Sequence, residues 1–392
     1  MDIFQNALEL HKKLRGKLSV ENRFDVCSKD DLSLVYSPGV AAPCEAIHAD
    51  PALVYDYTIK GNTVAIVSDG SAVLGLGNIG AHAAIPVMEG KAMLFKRFAG
   101  INGFPICIQT QDTEEIISIV KNISPVFGGI NLEDISSPRC FEVEKRLQDI
   151  GIPVFHDDQH GTAIVVLAAI MNYCRLTSRK MEDLSIVING AGAAGIAISR
   201  YLGRKDPHTP NQKIAKEIIV CDSTGVLAPT RTDLNEFKIE LLSYTNPRGI
   251  EGTVHDAIKG ADVFIGVSKA GLLYREDIQT MAKDPLILAL ANPVPEILPE
   301  EAYAGGALVV GTGRSDFPNQ VNNVLAFPGI FLGAMRARAP RINLAMKFAA
   351  AEAIASGIQN VTRDQLIPPV MDESIALKVA DAVSNIWINR NK

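Results

Sequence analysis

The chain has 392 residues, of which 47% are hydrophobic and 21% are charged, and its formal net charge is -6. This length predicts about two or three domains, and the composition excludes a disordered or fibrous protein. The acidic balance argues against nucleic-acid binding, and because no apolar run reaches roughly 18 residues we expect no membrane span.

The N-terminal segment predicts an amphipathic helix to about Leu18, followed by a loop at residues 36–43 (YSPGVAAP). Charged residues interrupt its apolar ones, so the segment does not have the pattern of a signal peptide. The six cysteines occur singly, without a C-x-x-C pair, which is typical of proteins in a reducing compartment. We therefore expect a cytoplasmic protein.

Four buried strands are predicted in the first half of the chain. Apolar runs occur at residues 63–70, 104–110 and 130–136, and a fourth runs from residue 152 into the pair Asp157 and Asp158. Helices are predicted between them at residues 89–100 and 114–123. This alternation indicates an N-terminal α/β domain.

Acidic residues follow two of these predicted strands. Glu133 and Asp134 end one, and Asp158 ends another, so their carboxylates can converge if both strands belong to one sheet. Three oxygen donors without cysteine or paired histidine favour Mg²⁺ or Mn²⁺ over zinc. Alternatively, each carboxylate is a helix cap or a solvated turn residue.

Lys91 lies among small and apolar residues in the predicted helix, unlike its neighbours Lys96 and Arg97. A lysine kept partly dry near a cation has a lowered pKa and can act as a base near neutral pH. Composition alone favours the alternative, an ordinary surface lysine.

The composition changes near Thr162, where a long apolar helix begins, and we predict domains at residues 1–161 and 162–392. Further strands are predicted in the second domain, separated by helices or loops. They lie at residues 184–189, 217–222, 261–268, 286–292 and 307–313. The predicted fold class is α/β, with a Rossmann-like, doubly wound second domain.

A glycine-rich turn joins the first of these strands to a helix. Gly190 suits the tight turn, Gly192 the approach of backbone to a pyrophosphate, and Gly195 the packing of helix on strand. The next strand ends in Asp222, and residues 204–213 form an insertion before it. An acid at this position favours the ribose hydroxyls of NAD, although nearby basic residues leave NADP possible.

Long motifs resemble the malic enzyme family in its short bacterial form, over nearly the whole chain. They lie at residues 36–44, 68–80, 89–101, 131–136, 155–163, 188–195, 291–297 and 321–329. The resemblance implies oxidation of L-malate with NAD(P) and decarboxylation to pyruvate, with a divalent metal, in a homodimer or larger assembly. It also implies that the C-terminal helices pack back on the first domain.

The resemblance also implies a role for each matching residue. Tyr36 corresponds to the general acid, Lys91 to the general base, and Asp157 to a residue that supports Lys91 or the metal. The implied metal ligands are Glu133, Asp134 and Asp158. The implied cofactor contacts are Gly190, Gly192, Ala193, Ala194, Gly195, Asp222 and Asn292, and the implied substrate contacts are Asn292, Asn322 and Asn323.

The chain departs from larger members of the family at one position. They carry an arginine for a substrate carboxylate where this sequence has Ala72, and we therefore assign Ser71 to the substrate as well. Two other functions stay open at this point. One is an oxaloacetate decarboxylase that uses only the second half-reaction, and the other is a nucleotide-sensing protein without activity.

Overall fold

Two parallel β-sheets, one in each half of the chain, organise the computed structural model, which describes residues 3–73, 75–203 and 214–390. The strands of the first half are β1 (Thr63–Ser68), β2 (Asn102–Cys107), β3 (Gly129–Leu132) and β4 (Val154–His156). Its helices are α1 (Ile3–Leu14), α2 (Lys29–Val35), α3 (Ala41–Ala49), α4 (Val54–Tyr57), α5 (Gly80–Ala99), α6 (Thr113–Ile123), α7 (Arg139–Leu147) and α8 (Asp157–Thr177).

The first sheet has the order β2-β1-β3-β4, and all of its strands are parallel. Every residue of β1 and β3 is buried, as expected for parallel strands covered on both faces. Because parallel strands end at one edge of a sheet, the residues that follow β1, β3 and β4 lie side by side. This edge carries the acidic residues predicted from the sequence.

Helix α5 covers this sheet and turns Lys91 inward. Its buried residues include Met88, Lys91, Ala92 and Phe95, which recur at the three- and four-residue spacing of one helical face. Lys96, by contrast, points to solvent. The helical period therefore places the two lysines in opposite environments.

The second half contains six strands and eight helices among the residues that the structure describes. The strands are β5 (Ser185–Asn189), β6 (Glu217–Asp222), β7 (Gly225–Val226), β8 (Val263–Gly266), β9 (Leu286–Ala289) and β10 (Val309–Thr312). The helices are α9 (Ala193–Gly203), α10 (Glu236–Leu241), α11 (Val254–Ala257), α12 (Arg275–Gln279), α13 (Pro299–Gly305), α14 (Phe327–Arg336), α15 (Leu344–Ser356) and α16 (Glu373–Arg390).

The second sheet has the order β10-β9-β8-β5-β6-β7 and is parallel except for the short β7, which runs antiparallel to β6. The chain leaves β5 towards β6 on one side and later returns to β8 on the other, so the order reverses beside β5. Cofactors bind outside the carboxyl ends of strands at such a switch point. The predicted α/β fold class with a Rossmann-like domain is confirmed.

The two halves share a hydrophobic core. Phe95 of α5 packs against Phe327 and Phe331 of α14, with ring centroids 4.7 Å and 5.4 Å apart. Helix α8 runs without a break across the division predicted between residues 161 and 162. That division therefore stays a prediction.

Several predicted boundaries differ from the structure. The first helix ends at Leu14 rather than near Leu18, and the predicted loop at residues 36–43 runs into helix α3, which starts at Ala41. Pro43 is compatible with the first turn of a helix, where its missing N–H is not needed. The predicted insertion at residues 204–213 lies outside the described residues. Within the described ranges, no helix combines the length and apolar character that crossing a membrane requires.

Candidate active site

Three carboxylates converge at the carboxyl edge of the first sheet. Glu133 and Asp134 follow β3, Asp158 lies in the first turn of α8, and one ligand atom from each lies within 4.8 Å of the other two. The Asp134 N–H donates to Asp158 Oδ2 over 2.8 Å, which fixes the two segments together. The residues predicted as metal ligands are therefore brought together by the fold.

Lys91 lies beside these carboxylates in the protein interior. Its Nζ is 3.0 Å from Glu133 Oε1 and 2.6 Å from Asp157 Oδ2, and it stands 4.3 Å above the centre of the Phe327 ring. Burial lowers the pKa of Lys91, but the charges of Asp157 and Glu133 outweigh this effect and raise it above the usual value. The carboxylates face the amine directly, and the lowered pKa expected of a dry lysine near a cation therefore stays a prediction.

The carboxylates themselves carry an excess of negative charge. Burial raises the pKa of Glu133 well above its usual value, and Asp158, Asp157 and Asp134 add to this shift while Lys91 opposes it. Burial likewise raises the pKa of Asp157. Burial and neighbouring negative charges disfavour the ionised form of these carboxylates, so binding of a proton or a cation stabilises them.

Two supporting residues were not identified from the sequence. Asn131 Nδ2 donates to Glu133 Oε2 over 2.8 Å, and the Arg139 guanidinium donates to Asp69 Oδ2 over 2.8 Å. An asparagine inside a fully buried strand needs a polar partner, so the position of Asn131 in the sequence could have indicated a role at the site. Arg139 carried none, because its partner lies 70 residues earlier in the chain.

The hydroxyl of Ser71 forms hydrogen bonds with three neighbouring protein groups. It donates to Asp69 Oδ1 over 2.6 Å and accepts from the Ser136 N–H at 2.8 Å and from Arg139 Nη2 at 3.0 Å. A serine hydroxyl offers one donor and two acceptor positions, and all three are filled. The structure therefore places Ser71 at the site but does not support its assignment as a substrate contact.

The three asparagines predicted to contact substrate occupy different positions in the fold. A Cβ on Gly75 would lie 2.5 Å from the Asn292 carbonyl oxygen, so the loop after β1 touches the end of β9 here. Asn323 lies next to the first turn of α8, since a Cβ on Gly161 would lie 3.0 Å from its Cβ. Asn322 Oδ1 accepts from the Val324 N–H and caps a 3₁₀ turn.

Tyr36 lies at the end of α2 and is 67% exposed. Among the described residues, no hydrogen bond, ion pair or ring contact joins its side chain to Lys91 or to the carboxylates. The fold of one chain thus assembles the predicted base and metal ligands but not the predicted acid.

The glycine-rich turn has the geometry expected of a dinucleotide-binding turn. Gly190 has a φ of +124°, and a Cβ on Gly195 would lie 1.6 Å from the Gly190 carbonyl oxygen. A Cβ on Gly192 would meet nothing within 4 Å, so the space above this residue is open. Helix α9 begins at Ala193, which is followed by Ala194, and its first N–H groups can donate hydrogen bonds to phosphate oxygens.

Asp222 follows the expected strand but its carboxylate is not free. Arg231 binds it with two hydrogen bonds of 2.8 Å and 3.0 Å, Lys238 Nζ lies 2.6 Å from Oδ2, and the Thr224 N–H donates to Oδ1 over 2.9 Å. Although burial acts in the opposite direction, these hydrogen bonds hold the pKa of Asp222 well below its usual range. The prediction of an available acceptor for ribose hydroxyls is therefore not supported as stated.

Comparison with known proteins gives a consistent result for both halves. A family model described as "Malic enzyme, NAD binding domain" matches residues 159–388, and one described as "Malic enzyme, N-terminal domain" matches residues 16–113 and 109–148. The chain is 53% identical to a bifunctional malic/malolactic enzyme of Bacillus subtilis (strain 168), over 98% of this chain and 93% of that protein.

Two further relatives agree. An NAD-dependent malic enzyme of Geobacillus stearothermophilus is 54% identical, over 94% of this chain and 76% of that protein. The crystal structure of an NAD-dependent malic enzyme from Thermotoga maritima superposes with a TM-score of 0.91 at 48% identity, covering 96% of this chain and 98% of that one.

Proposed function

The chain belongs to the malic enzyme family and catalyses the NAD(P)-dependent oxidative decarboxylation of malate to pyruvate, and we propose that the residues around Lys91 carry out this reaction. The observation that carries the proposal is the position of the Lys91 amine. It lies 3.0 Å from one predicted metal ligand, Glu133, and 2.6 Å from Asp157. The proposed base and the proposed cation site are therefore adjacent at one sheet edge.

Glu133, Asp134 and Asp158 would hold a divalent cation, Mg²⁺ or Mn²⁺. Three carboxylate oxygens within 4.8 Å of one another are hard donors that suit these ions. The raised pKa of Glu133, caused by burial and by neighbouring carboxylates, also fits a site that is completed by positive charge. When bound, the cation would supply Lewis-acid chemistry and the nicotinamide cofactor would supply the hydride acceptor.

Lys91 takes the proton from the C2 hydroxyl of malate as the substrate is oxidised. The amine must be neutral to do so. Asp157 raises its pKa most, followed by Glu133 and Asp158, which are the two of these residues assigned to the cation. Compensation of the charges of Glu133 and Asp158 by a cation would weaken this shift, and burial acts in the same direction because it lowers the pKa of a lysine. Asp157 Oδ2 holds Nζ in place.

Tyr36 donates the proton to C3 after loss of CO₂, and in this proposal it comes from a second copy of the chain. None of residues 3–59 is buried, and this segment exposes large apolar side chains that include Ile3, Leu8, Val20 and Leu34. An apolar surface of this kind is typical of an interface. We therefore propose a homodimer in which Tyr36 completes the neighbouring site.

The experiment is a steady-state assay with malate, NAD and Mn²⁺ that follows NADH at 340 nm and measures pyruvate. We expect one NADH for each pyruvate, and Lys91→Ala should reduce turnover by roughly 10²–10⁴-fold, the usual effect of losing a proton-transfer residue. NADH binding should stay intact, and Lys96→Ala on the exposed face of α5 serves as the control.

Two outcomes would contradict the proposal. Near-normal turnover of Lys91→Ala would remove the lysine from the mechanism. Pyruvate formed from oxaloacetate without any malate-dependent NADH would favour the decarboxylase alternative.

A further inference from the structure

The residue that ends β6 belongs to a closed group of four charged side chains. Asp222 accepts from Arg231 and Lys238, and Arg231 also donates to Asp233 through Nε at 2.9 Å and Nη2 at 2.6 Å. We call Asp222, Arg231, Asp233 and Lys238 the β6 charge cluster. It contains two cations and two anions and is therefore neutral as a unit.

This cluster lies beside the dinucleotide-binding turn. Strand β6 pairs with β5, and the Gly190 N–H donates to the Cys221 carbonyl oxygen over 2.8 Å, one residue before Asp222. In a doubly wound fold the residue at the end of this strand faces the adenosine ribose of the cofactor. The cluster is thus adjacent to the place where NAD carries a 2′-hydroxyl and NADP a 2′-phosphate.

All acceptor positions of Asp222 are used by donors of the cluster and by the backbone of Thr224. Each carboxylate oxygen receives two donors, from Arg231 and Thr224 on Oδ1 and from Arg231 and Lys238 on Oδ2. The Asp222 side chain is 7% exposed, beneath the two cations. A ribose hydroxyl would have to displace one of these charged donors, which bind a carboxylate more strongly than a neutral donor does.

The same hydrogen bonds also occupy the two cations, Arg231 and Lys238. A guanidinium and an ammonium side by side are the groups that proteins use to bind phosphate. Here both groups donate hydrogen bonds to the Asp222 carboxylate, as they would to a phosphate.

We propose that Asp222 masks a 2′-phosphate site formed by Arg231 and Lys238, and that this internal pairing sets the preference between NAD and NADP. The inference rests on the proposed function only in assigning the adenosine ribose to the end of β6. Selection against NADP then has two parts, repulsion of the 2′-phosphate by Asp222 and sequestration of the cations that would bind it.

Asp222→Ser tests the masking, with binding measured by calorimetry on the full-length protein. The ligands are 2′,5′-ADP, which carries the 2′-phosphate, and 5′-AMP, which does not. We expect affinity for 2′,5′-ADP to rise at least about tenfold, since charge-assisted contacts to phosphate become available. Affinity for 5′-AMP should change by less than about threefold, and the gain for 2′,5′-ADP should shrink at high ionic strength.

Two further variants separate masking from a general change in charge. Asp222→Ser combined with Lys238→Met should lose most of the gain, because one of the released cations is absent. Asp233→Asn also removes one negative charge that is paired with Arg231, but on the exposed side of the cluster. It should change 2′,5′-ADP affinity by less than about threefold. Asp222→Asn, which keeps the side-chain shape, replaces Asp222→Ser if thermal unfolding shows that the serine variant is unstable.

The inference is overturned if 2′,5′-ADP affinity is unchanged in both Asp222 variants, or if the gain survives in the Lys238 double variant. Failure of the proposed function looks different, because the wild-type protein would then bind neither NADH nor 5′-AMP. The ratio of kcat/KM for NADP to that for NAD should rise in Asp222→Ser together with the binding gain.

Discussion

At the scale of single residues, spatial partners decide the role of a charged side chain. Lys91 and Lys96 lie on the same helix, yet only Lys91 faces Glu133 and Asp157. The sequence predicted that Glu133, Asp134 and Asp158 converge, because each follows a buried strand. It could not predict the pairing of Asp222 with Lys238, since 16 residues and a change of element separate them.

His160 shows how a partly buried residue near the site links three helices. Its Nε2 lies 2.8 Å from Glu144 Oε1 on α7, and its Nδ1 is 3.1 Å from the Tyr201 hydroxyl on α9. Burial lowers the pKa of His160 to about 4, although Glu144 opposes the shift. The histidine is therefore neutral in the folded protein near pH 7.

This lowered pKa predicts a loss of stability in acid. An unfolded histidine has a pKa of about 6.5, so between pH 6.5 and 4 the unfolded chain binds more protons than the folded one. The stabilising contribution is complete above pH 6.5 and is lost as the pH falls towards 4. We expect His160→Gln to lessen the decrease in unfolding free energy between pH 7 and pH 5 by about 2 kcal/mol.

Urea unfolding at each pH, with a chelator present, measures this effect. His48→Gln, at an exposed position, is the control and should keep the wild-type pH dependence. An identical pH dependence in wild type and His160→Gln would show that His160 does not titrate as described.

At the scale of elements, the sequence predicted the presence and type of strands and helices better than their ends. The long apolar helix was expected from Thr162 but begins at Asp157, five residues earlier. Two acidic residues in a first turn interact favourably with the positive end of the helix, which the apolar pattern alone does not reveal. Asp157 and Asp158 are consequently held by a helix rather than by a strand end.

The glycine turn before α9 gives a prediction at this scale. A Cβ on Gly192 would touch no protein atom within 4 Å, so Gly192→Ala should fold with a wild-type melting temperature. It should nevertheless weaken NADH binding by at least about tenfold, because the methyl group stands where the pyrophosphate approaches the backbone.

Fluorescence titration of NADH and thermal unfolding measure these two properties. Gly195→Ala is the contrasting variant, since its Cβ would lie 1.6 Å from the Gly190 carbonyl oxygen and should lower stability. Normal NADH affinity in Gly192→Ala would mean that the pyrophosphate binds elsewhere.

At the scale of the whole molecule, one chain does not assemble every predicted catalytic group. The family resemblance correctly identified the malic enzyme family and the α/β architecture. It also predicted Tyr36 as the acid, but burial and contacts within one chain leave Tyr36 exposed and away from Lys91. A sequence contains no direct record of which residues meet across an interface between copies.

Subunit mixing tests whether the site is shared between chains. Lys91→Ala and Tyr36→Phe are each expected to be nearly inactive. If Tyr36 serves the neighbouring subunit, a mixed dimer has one site with both residues intact. Random re-pairing of equal amounts should then restore about a quarter of wild-type activity, since half of the dimers are mixed and each has one intact site of two.

The control mixes Lys91→Ala with Asp158→Ala, two residues of the same cluster, and should remain inactive in every pairing. If Tyr36→Phe fails to complement Lys91→Ala while size measurements confirm exchange of subunits, Tyr36 acts within its own chain or not at all.

The most direct test of the central claim is a crystal structure with Mn²⁺, NADH and the malate analogue tartronate. The account predicts one Mn²⁺ ion bound by Glu133, Asp134 and Asp158, with Lys91 Nζ within about 3 Å of the C2 oxygen of the analogue. Mn²⁺ bound to other residues, or a C2 oxygen beyond the reach of Lys91, would contradict it.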